Sequence, residues 1–149
     1  MTQLADLYYR GTTSSTTQLR PSRRGSFGSG LYFADRACAT QYAGPGGSVW
    51  EVKLSWQNPF RCTATIENDY DLDNPAVPLV LAIFSKAEAE ALIRQASETD
   101  GQFGPEIQER LRGLGHDGIF ASYEDGSFEV VVFQAEQVNL LCRLDSTAT

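Results

Sequence analysis

The chain has 149 residues, of which 42% are hydrophobic, 11% aromatic and 21% charged. That is the profile of one globular domain with a single core, spanning residues 1–149, and it excludes disordered, collagen-like and coiled-coil classes. The net charge of −7 is uneven: residues 1–36 carry five arginines against Asp6 and Asp35, or +3, and the remainder carries −10. A long polyanion such as nucleic acid is therefore a poor partner, while a local arginine-rich anion site near the N-terminus is compatible with the charge pattern.

The longest apolar run, residues 76–84, is interrupted by Pro78 and is far shorter than the roughly 20 residues of a membrane helix. The opening residues lack the basic start, apolar stretch and small-residue site of a signal peptide, so a cytoplasmic protein is expected, one that reaches another cell only by a different route. Cys38, Cys62 and Cys142 stand far apart and His116 is the only histidine. That pattern suits a reducing compartment and offers no zinc site of the usual kind, so no metal is expected.

In chain order, residues 4–12 predict a short strand ending near Gly11. Residues 13–29 are rich in Ser, Thr, Arg and Gly and predict a long exposed loop with almost nothing for a core, a possible lid over a ligand. Its arginines, Arg20, Arg23 and Arg24, are expected to be solvated or to touch a phosphate. Residues 30–34 predict a compact strand, and Asp35 is placed to cap a helix that follows. After the turn at residues 44–47, the alternation of Trp50, Val52, Leu54 and Trp56 with polar residues predicts a half-buried strand. Asn58-Pro59 then turns the chain into a partner strand over residues 60–66, followed by an acidic loop.

Ser85 and Glu88 form a capping-box pattern for a helix over residues 85–97. Pro105, the Ile107, Leu111, Leu114 spacing and Gly115 mark a second helix. Residues 117–122, 128–133 and 138–144 predict three more strands, the middle one a continuous apolar run suited to the centre of a sheet. One carboxylate, Glu129, begins that central strand, where the base-rate expectation is a solvated edge glutamate. His116 is expected to be structural.

Three segments argue otherwise for Glu129. Gly30-Leu31-Tyr32-Phe33-Ala34 with Tyr42 beyond it resembles the nicotinamide-binding stretch of the ADP-ribosyltransferase superfamily, in its poly(ADP-ribose) polymerase and diphtheria-toxin branch. Glu129 with Gln137-Val138-Asn139-Leu140 resembles the family's final motif, and Tyr9-Arg10-Gly11 its first. The three occur in the family's order across nearly the whole chain.

The resemblance implies an α+β domain of the ADP-ribosyltransferase fold, with two packed, mainly antiparallel sheets and flanking helices. It implies NAD as substrate, with Glu129, Tyr32 and Arg10 as catalytic residues and Gly11, Thr12, Tyr32 and Tyr42 as the NAD-binding set. Cleavage of the nicotinamide–ribose bond passes through an oxocarbenium-like state, which a carboxylate at the ribose stabilises. Tyr32 and Tyr42 would clamp the cationic nicotinamide ring, the Gly11 backbone would meet its amide, and Arg10, with help from Thr12, would hold a phosphate or ribose oxygen.

The chain also departs from its relatives. Arg10 stands where polymerase-like members have histidine, and Ser127 where arginine-modifying toxins have Glu or Gln. Transfer of a single ADP-ribose to a macromolecular acceptor, protein rather than nucleic acid, is the expected reaction. A bacterial or phage effector or toxin, with an immunity protein as a possible partner, is the expected role. An NAD glycohydrolase and a non-catalytic module that binds NAD or ADP-ribose are the alternatives.

Overall fold

A computed structural model describes residues 7–13 and 21–145. Seven strands and four α-helices follow in the order β1 (Leu7–Thr12), β2 (Leu31–Ala34), α1 (Arg36–Ala43), β3 (Ser48–Leu54), β4 (Phe60–Thr63), α2 (Val77–Ile83), α3 (Lys86–Ser97), α4 (Glu106–Gly113), β5 (Gly118–Ser122), β6 (Phe128–Val132) and β7 (Val138–Asp145), with a single 3₁₀ turn at Ala135–Gln137. The strands form one hydrogen-bonded sheet in the order β4-β5-β6-β2-β1-β3-β7. Every pairing is antiparallel except β4 with β5. A single sheet stands where the sequence reading expected two.

The two halves of that sheet are joined at a narrow seam. β1 pairs with β3 along its whole length, from Leu7↔Lys53 to Thr12↔Ser48, whereas its register with β2 consists of Tyr9↔Ala34 alone. Strands that part after one bridge leave an opening between them, and the seam sits beside the cavity described below.

The side chains of β6 alternate between two cores, as the two-residue period of a strand requires. Val131 joins Phe27, Ile107, Leu111 and Ile119 in the core that includes buried residues of α2, α3 and α4, while Val130 and Val132 join Tyr8, Leu31, Phe33, Val52 and Leu54 on the other face. Among the described residues no α-helix contributes to this second core. Residues from both halves of the sheet close it themselves, with the Tyr8 ring edge-on to Trp56 and Phe128 at centroid distances of 5.7 and 5.9 Å.

Helix boundaries follow their caps. The Ser85 hydroxyl accepts the Glu88 N–H, and the Glu88 carboxylate returns a bond to Ser85, so α3 begins where its capping box predicts. Gly115, at φ 91°, ends the α4 segment as expected. Helix α2 was not anticipated. Its sequence VPLVLAI has no side-chain cap and little amphipathic signature, and only packing of Val77, Leu79, Val80 and Ile83 into the core sets it.

Two further expectations are corrected. Residues 60–66 were expected to pair with the strand before them, but β4 runs parallel to β5 at the opposite edge of the sheet. Both edges of β3 are occupied, by β1 and β7, and the Asp117 carboxylate accepts the Gln57 and Asn58 N–H groups to lead the chain away. The loop before β2 is not merely exposed. Phe27 is 1% accessible and lies in the main core, Gly25 exchanges two backbone hydrogen bonds with Phe103, and Ser22 does the same with Gly30. Residues 4–6 of the first predicted strand and 14–20 of the predicted loop, Arg20 included, lie outside the described residues.

His116, expected to be structural, has its Nδ1 3.1 Å from the Asn58 carbonyl and its ring edge-on against Phe60, away from the cavity described below.

Candidate active site

A cavity of about 600 Å³ opens where the seam, α1, the loop before β2 and the β5–β6 turn meet. Arg10 and Gly11 line it from β1, Tyr32 from β2, Tyr42 from α1 and Glu129 from β6. Five of the six residues singled out by sequence thus converge from positions up to 119 apart in the chain. Thr12 is not among the lining residues; it pairs with Ser48 on β3.

Glu129 is placed by the β2–β6 register. Ala34 pairs with Glu129 and Tyr32 with Val131, so Glu129 and Tyr32 are diagonal neighbours on one face. Burial pushes the Glu129 carboxyl above its ordinary value, and the Tyr123 hydroxyl, which donates to Oε1 over 2.9 Å, partly opposes that rise. A half-buried carboxylate is costly for a structural role and is more typical of sites that use charge.

The Tyr32 hydroxyl is locked between two backbone groups, donating to the Gly28 carbonyl and accepting the Phe27 N–H over 2.8 Å. Burial raises its pKa strongly, so the phenol stays neutral and its ring is presented to the cavity as a fixed face. This lock explains Gly25: a Cβ there would come within 2.4 Å of the Tyr32 hydroxyl oxygen. Replacing Tyr32 by Phe should strand the buried Phe27 N–H and lower stability by about 1–3 kcal/mol. Thermal unfolding against the parent protein checks this; an unchanged Tm would mean the lock contributes nothing.

Arg10 is a cation short of partners. Its Nη1 donates to the Tyr32 carbonyl at the long distance of 3.5 Å, its guanidinium lies 5.9 Å from the Phe33 ring centroid, and its buried Nε has no hydrogen-bond partner. Burial lowers its pKa. Among the described residues no carboxylate forms an ion pair with it. A half-buried guanidinium left in this state fits an anionic ligand at the cavity wall.

Gly11 has a reason beyond ligand access. A Cβ on it would lie 2.1 Å from the Ala39 carbonyl oxygen and 3.0 Å from the Ala43 nitrogen, so the missing side chain lets α1 rest on β1. Tyr42, on that helix, is 72% exposed and stands at the cavity mouth.

Asp35 ties the pieces together. One oxygen accepts the Cys38 N–H as the cap of α1 and the other accepts the Phe128 N–H, one residue before Glu129. Burial alone would raise its pKa, but these hydrogen bonds outweigh it and hold the carboxyl below its ordinary value. Its capping role was legible in the sequence; the bond to Phe128 was not, because it joins residues 93 apart.

Arg24 does not stand free to meet a phosphate. Its Nε and Nη2 grip Asp100 at 2.8 and 2.9 Å, and Nη2 also reaches the Gln102 carbonyl. Arg23 is exposed and does not line the cavity. Sequence reasoning missed Tyr123. The available signal was an aromatic residue six positions before Glu129 across the turn Glu124-Asp125-Gly126, where a hairpin brings both onto one face. Among the described residues no three His, Cys, Asp or Glu side chains gather as a metal would require, and no helix is long and apolar enough to cross a membrane.

Arg10, Tyr32, Tyr42 and Glu129, the residues the resemblance singled out, thus line one opening, at the seam of a single mainly antiparallel sheet. The family model for the ADP-ribosyltransferase found in polyvalent proteins matches residues 6–141, and the chain belongs to that family. Enzymes of this family type use NAD as substrate. No curated protein matches the chain. A solved structure described as that of an anti-CRISPR protein is 25% identical, covering 91% of this chain and 94% of its own, at a TM-score of 0.39, too loose a likeness to bear on function.

Proposed function

We propose that this chain binds NAD in the cavity at the seam, cleaves the nicotinamide–ribose bond and transfers a single ADP-ribose to a macromolecular acceptor. The observation that carries this reading is the convergence of Arg10, Tyr32, Tyr42 and Glu129 on one cavity of about 600 Å³, within the size range of small-molecule sites. The fixed ring of Tyr32 and the exposed ring of Tyr42 at the mouth would hold the nicotinamide between them, a contact that favours the cationic ring and weakens as it leaves neutral. Glu129 would accept a hydrogen bond from a ribose hydroxyl and face the positive charge that develops on the sugar. The buried Nε of Arg10, lacking an acceptor, would find one on a phosphate or ribose oxygen.

A protein acceptor agrees with the net charge of −7, which repels nucleic acid. The effector or toxin role, a cytoplasmic site of action and an immunity partner belong to the same proposal and rest on the family's character.

The test is to incubate the purified protein with NAD labelled in its adenylate part, with and without cell lysate, while following nicotinamide release and label on macromolecules. Lysate-dependent labelling that protease removes supports transfer to protein. Nicotinamide release at equal rates without lysate, and no labelling, would replace the transferase by a glycohydrolase; NAD binding without release would leave a binding module.

Arg10→Ala should raise the KM for NAD about 10- to 100-fold, the worth of a hydrogen bond to a charged group, with thermal stability unchanged or improved because a half-buried unpaired cation is removed. Steady-state kinetics at varied NAD checks this, and an unaltered KM would take Arg10 out of the binding set.

A further inference from the structure

We propose that Tyr123 is a positioning residue for this reaction, its hydroxyl holding the Glu129 carboxylate by Oε1 so that Oε2 is presented to the ribose. The proposal rests on the reading above, in which Glu129 is the catalytic carboxylate.

The geometry begins with the β5–β6 hairpin. Ala121 pairs with Glu129 and Ser122 with Phe128, so Tyr123, two residues beyond Ala121, is the diagonal neighbour of Glu129 on the same face. The turn between them is tightly bonded. The Tyr123 N–H donates to the Ser127 carbonyl over 2.9 Å, the Gly126 N–H returns to the Tyr123 carbonyl over 3.1 Å, and the Asp125 carboxylate accepts both the N–H and the hydroxyl of Ser127. Gly126, at φ 91°, takes the left-handed conformation that the turn requires. A phenol set on so constrained a frame reaches Oε1 at 2.9 Å, within the range of O–H···O hydrogen bonds.

A glutamate side chain on a strand has three rotatable bonds, and only some of its rotamers aim the carboxylate into a cavity. Removing that freedom before substrate arrives is the general way in which a supporting hydrogen bond raises a rate. The other titratable and charged groups lining the cavity are Tyr9 and Arg10 from β1, Tyr32 from β2, Cys38 and Tyr42 from α1, and Arg24 from the loop before β2. None of them hydrogen-bonds Glu129; Tyr123 does, and no described residue hydrogen-bonds Oε2. Tyr123 is itself a lining residue, so its hydroxyl acts from within the site. The same bond favours the ionised carboxylate against the burial that opposes it.

The experiment is Tyr123→Phe, which keeps the ring and its packing and deletes the hydroxyl, assayed for nicotinamide release beside the parent protein and Glu129→Gln. The expected result is a kcat lowered about tenfold or more, as for loss of a bond to a charged group, with the KM for NAD and the Tm little changed. Because burial raises the Glu129 carboxyl above its ordinary value, the acidic limb of the pH profile is expected above 4.5 in the parent. It should move to higher pH in the variant, because the contact that favoured the ionised form is gone. Carbon-detected NMR titration of the Glu129 carboxyl, assigned with Glu129→Gln, should report the same upward movement without any turnover.

A parent protein that releases nicotinamide, a Glu129→Gln that does not, and a Tyr123→Phe with parental kcat and an unmoved Glu129 titration would overturn the role of Tyr123 while leaving the transferase reading intact. A lowered Tm with parental kcat would reduce Tyr123 to a structural tyrosine. Absence of nicotinamide release from the parent would overturn the transferase reading, and the role of Tyr123 with it.

Discussion

Glu129→Gln should lower the rate of nicotinamide release about 100- to 1,000-fold, the range seen when one electrostatic stabiliser of a transition state is removed, while NAD binds within a few-fold of the parent affinity. Glutamine has the shape of glutamate and its carbonyl oxygen can still accept the Tyr123 hydroxyl, so the β5–β6 hairpin has no reason to move. What is lost is the negative charge that the proposed reaction sets against the ribose. Because burial places a cost on that charge in the free protein, the variant should be as stable as the parent or slightly more so. The measurements are single-turnover nicotinamide release, NAD affinity by calorimetry and Tm. A variant with unchanged turnover would remove Glu129 from the chemistry, whereas one that fails to bind NAD would make it a binding residue.

The second large effect is on folding. Gly11→Ala puts a methyl group 2.1 Å from the Ala39 carbonyl oxygen and 3.0 Å from the Ala43 nitrogen. Both are backbone atoms of α1, so the clash cannot be relieved by a side-chain rotation, and helix and strand must separate. A cost of about 1–3 kcal/mol is expected for such overpacking, a fall in Tm of several degrees for a domain of this size. Since α1 carries Tyr42 and β1 carries Arg10, the same movement should weaken NAD binding. Gly113→Ala is the control: nothing lies within 4 Å of its missing Cβ, and it sits in α4, where alanine is favoured over glycine by about 0.5–1 kcal/mol. If the two variants melt alike, close approach of α1 to β1 is not what Gly11 provides.

The positioning of the site rests on interactions between distant segments. Asp35 holds the start of α1 and the start of β6 with its two oxygens, and Arg24 binds the loop before β2 to Asp100 beyond α3. The first device sets Glu129 relative to Tyr42. The second is an exposed ion pair of modest energetic weight, whose part is to fix the segment that bears Gly25 and Phe27, and through them the Tyr32 hydroxyl.

Local patterns in the amino-acid sequence were enough to determine much of this protein. Alternating apolar residues defined β3, the Val130 to Val132 run defined an interior strand, and the Ser85–Glu88 pair defined the start of α3, because each signal is carried by side chains within a few residues of one another. The ordered motifs around Arg10, Tyr32, Tyr42 and Glu129 likewise named the family and five of the residues that line the cavity. Tertiary structure alone decided the rest. That the strands make one sheet, parted after Tyr9↔Ala34, depends on which edges are already occupied, a property of the assembled sheet and of no single strand. Helix α2 exists because four of its side chains are buried by other elements. Phe27 enters the core although its neighbours in sequence are polar or glycine, Arg24 is spent on Asp100 at 76 residues' distance, and Tyr123 meets Glu129 only because a hairpin turn folds one onto the other. Interactions of that range leave no periodic trace in a sequence, since their energy appears only when the segments have already come together.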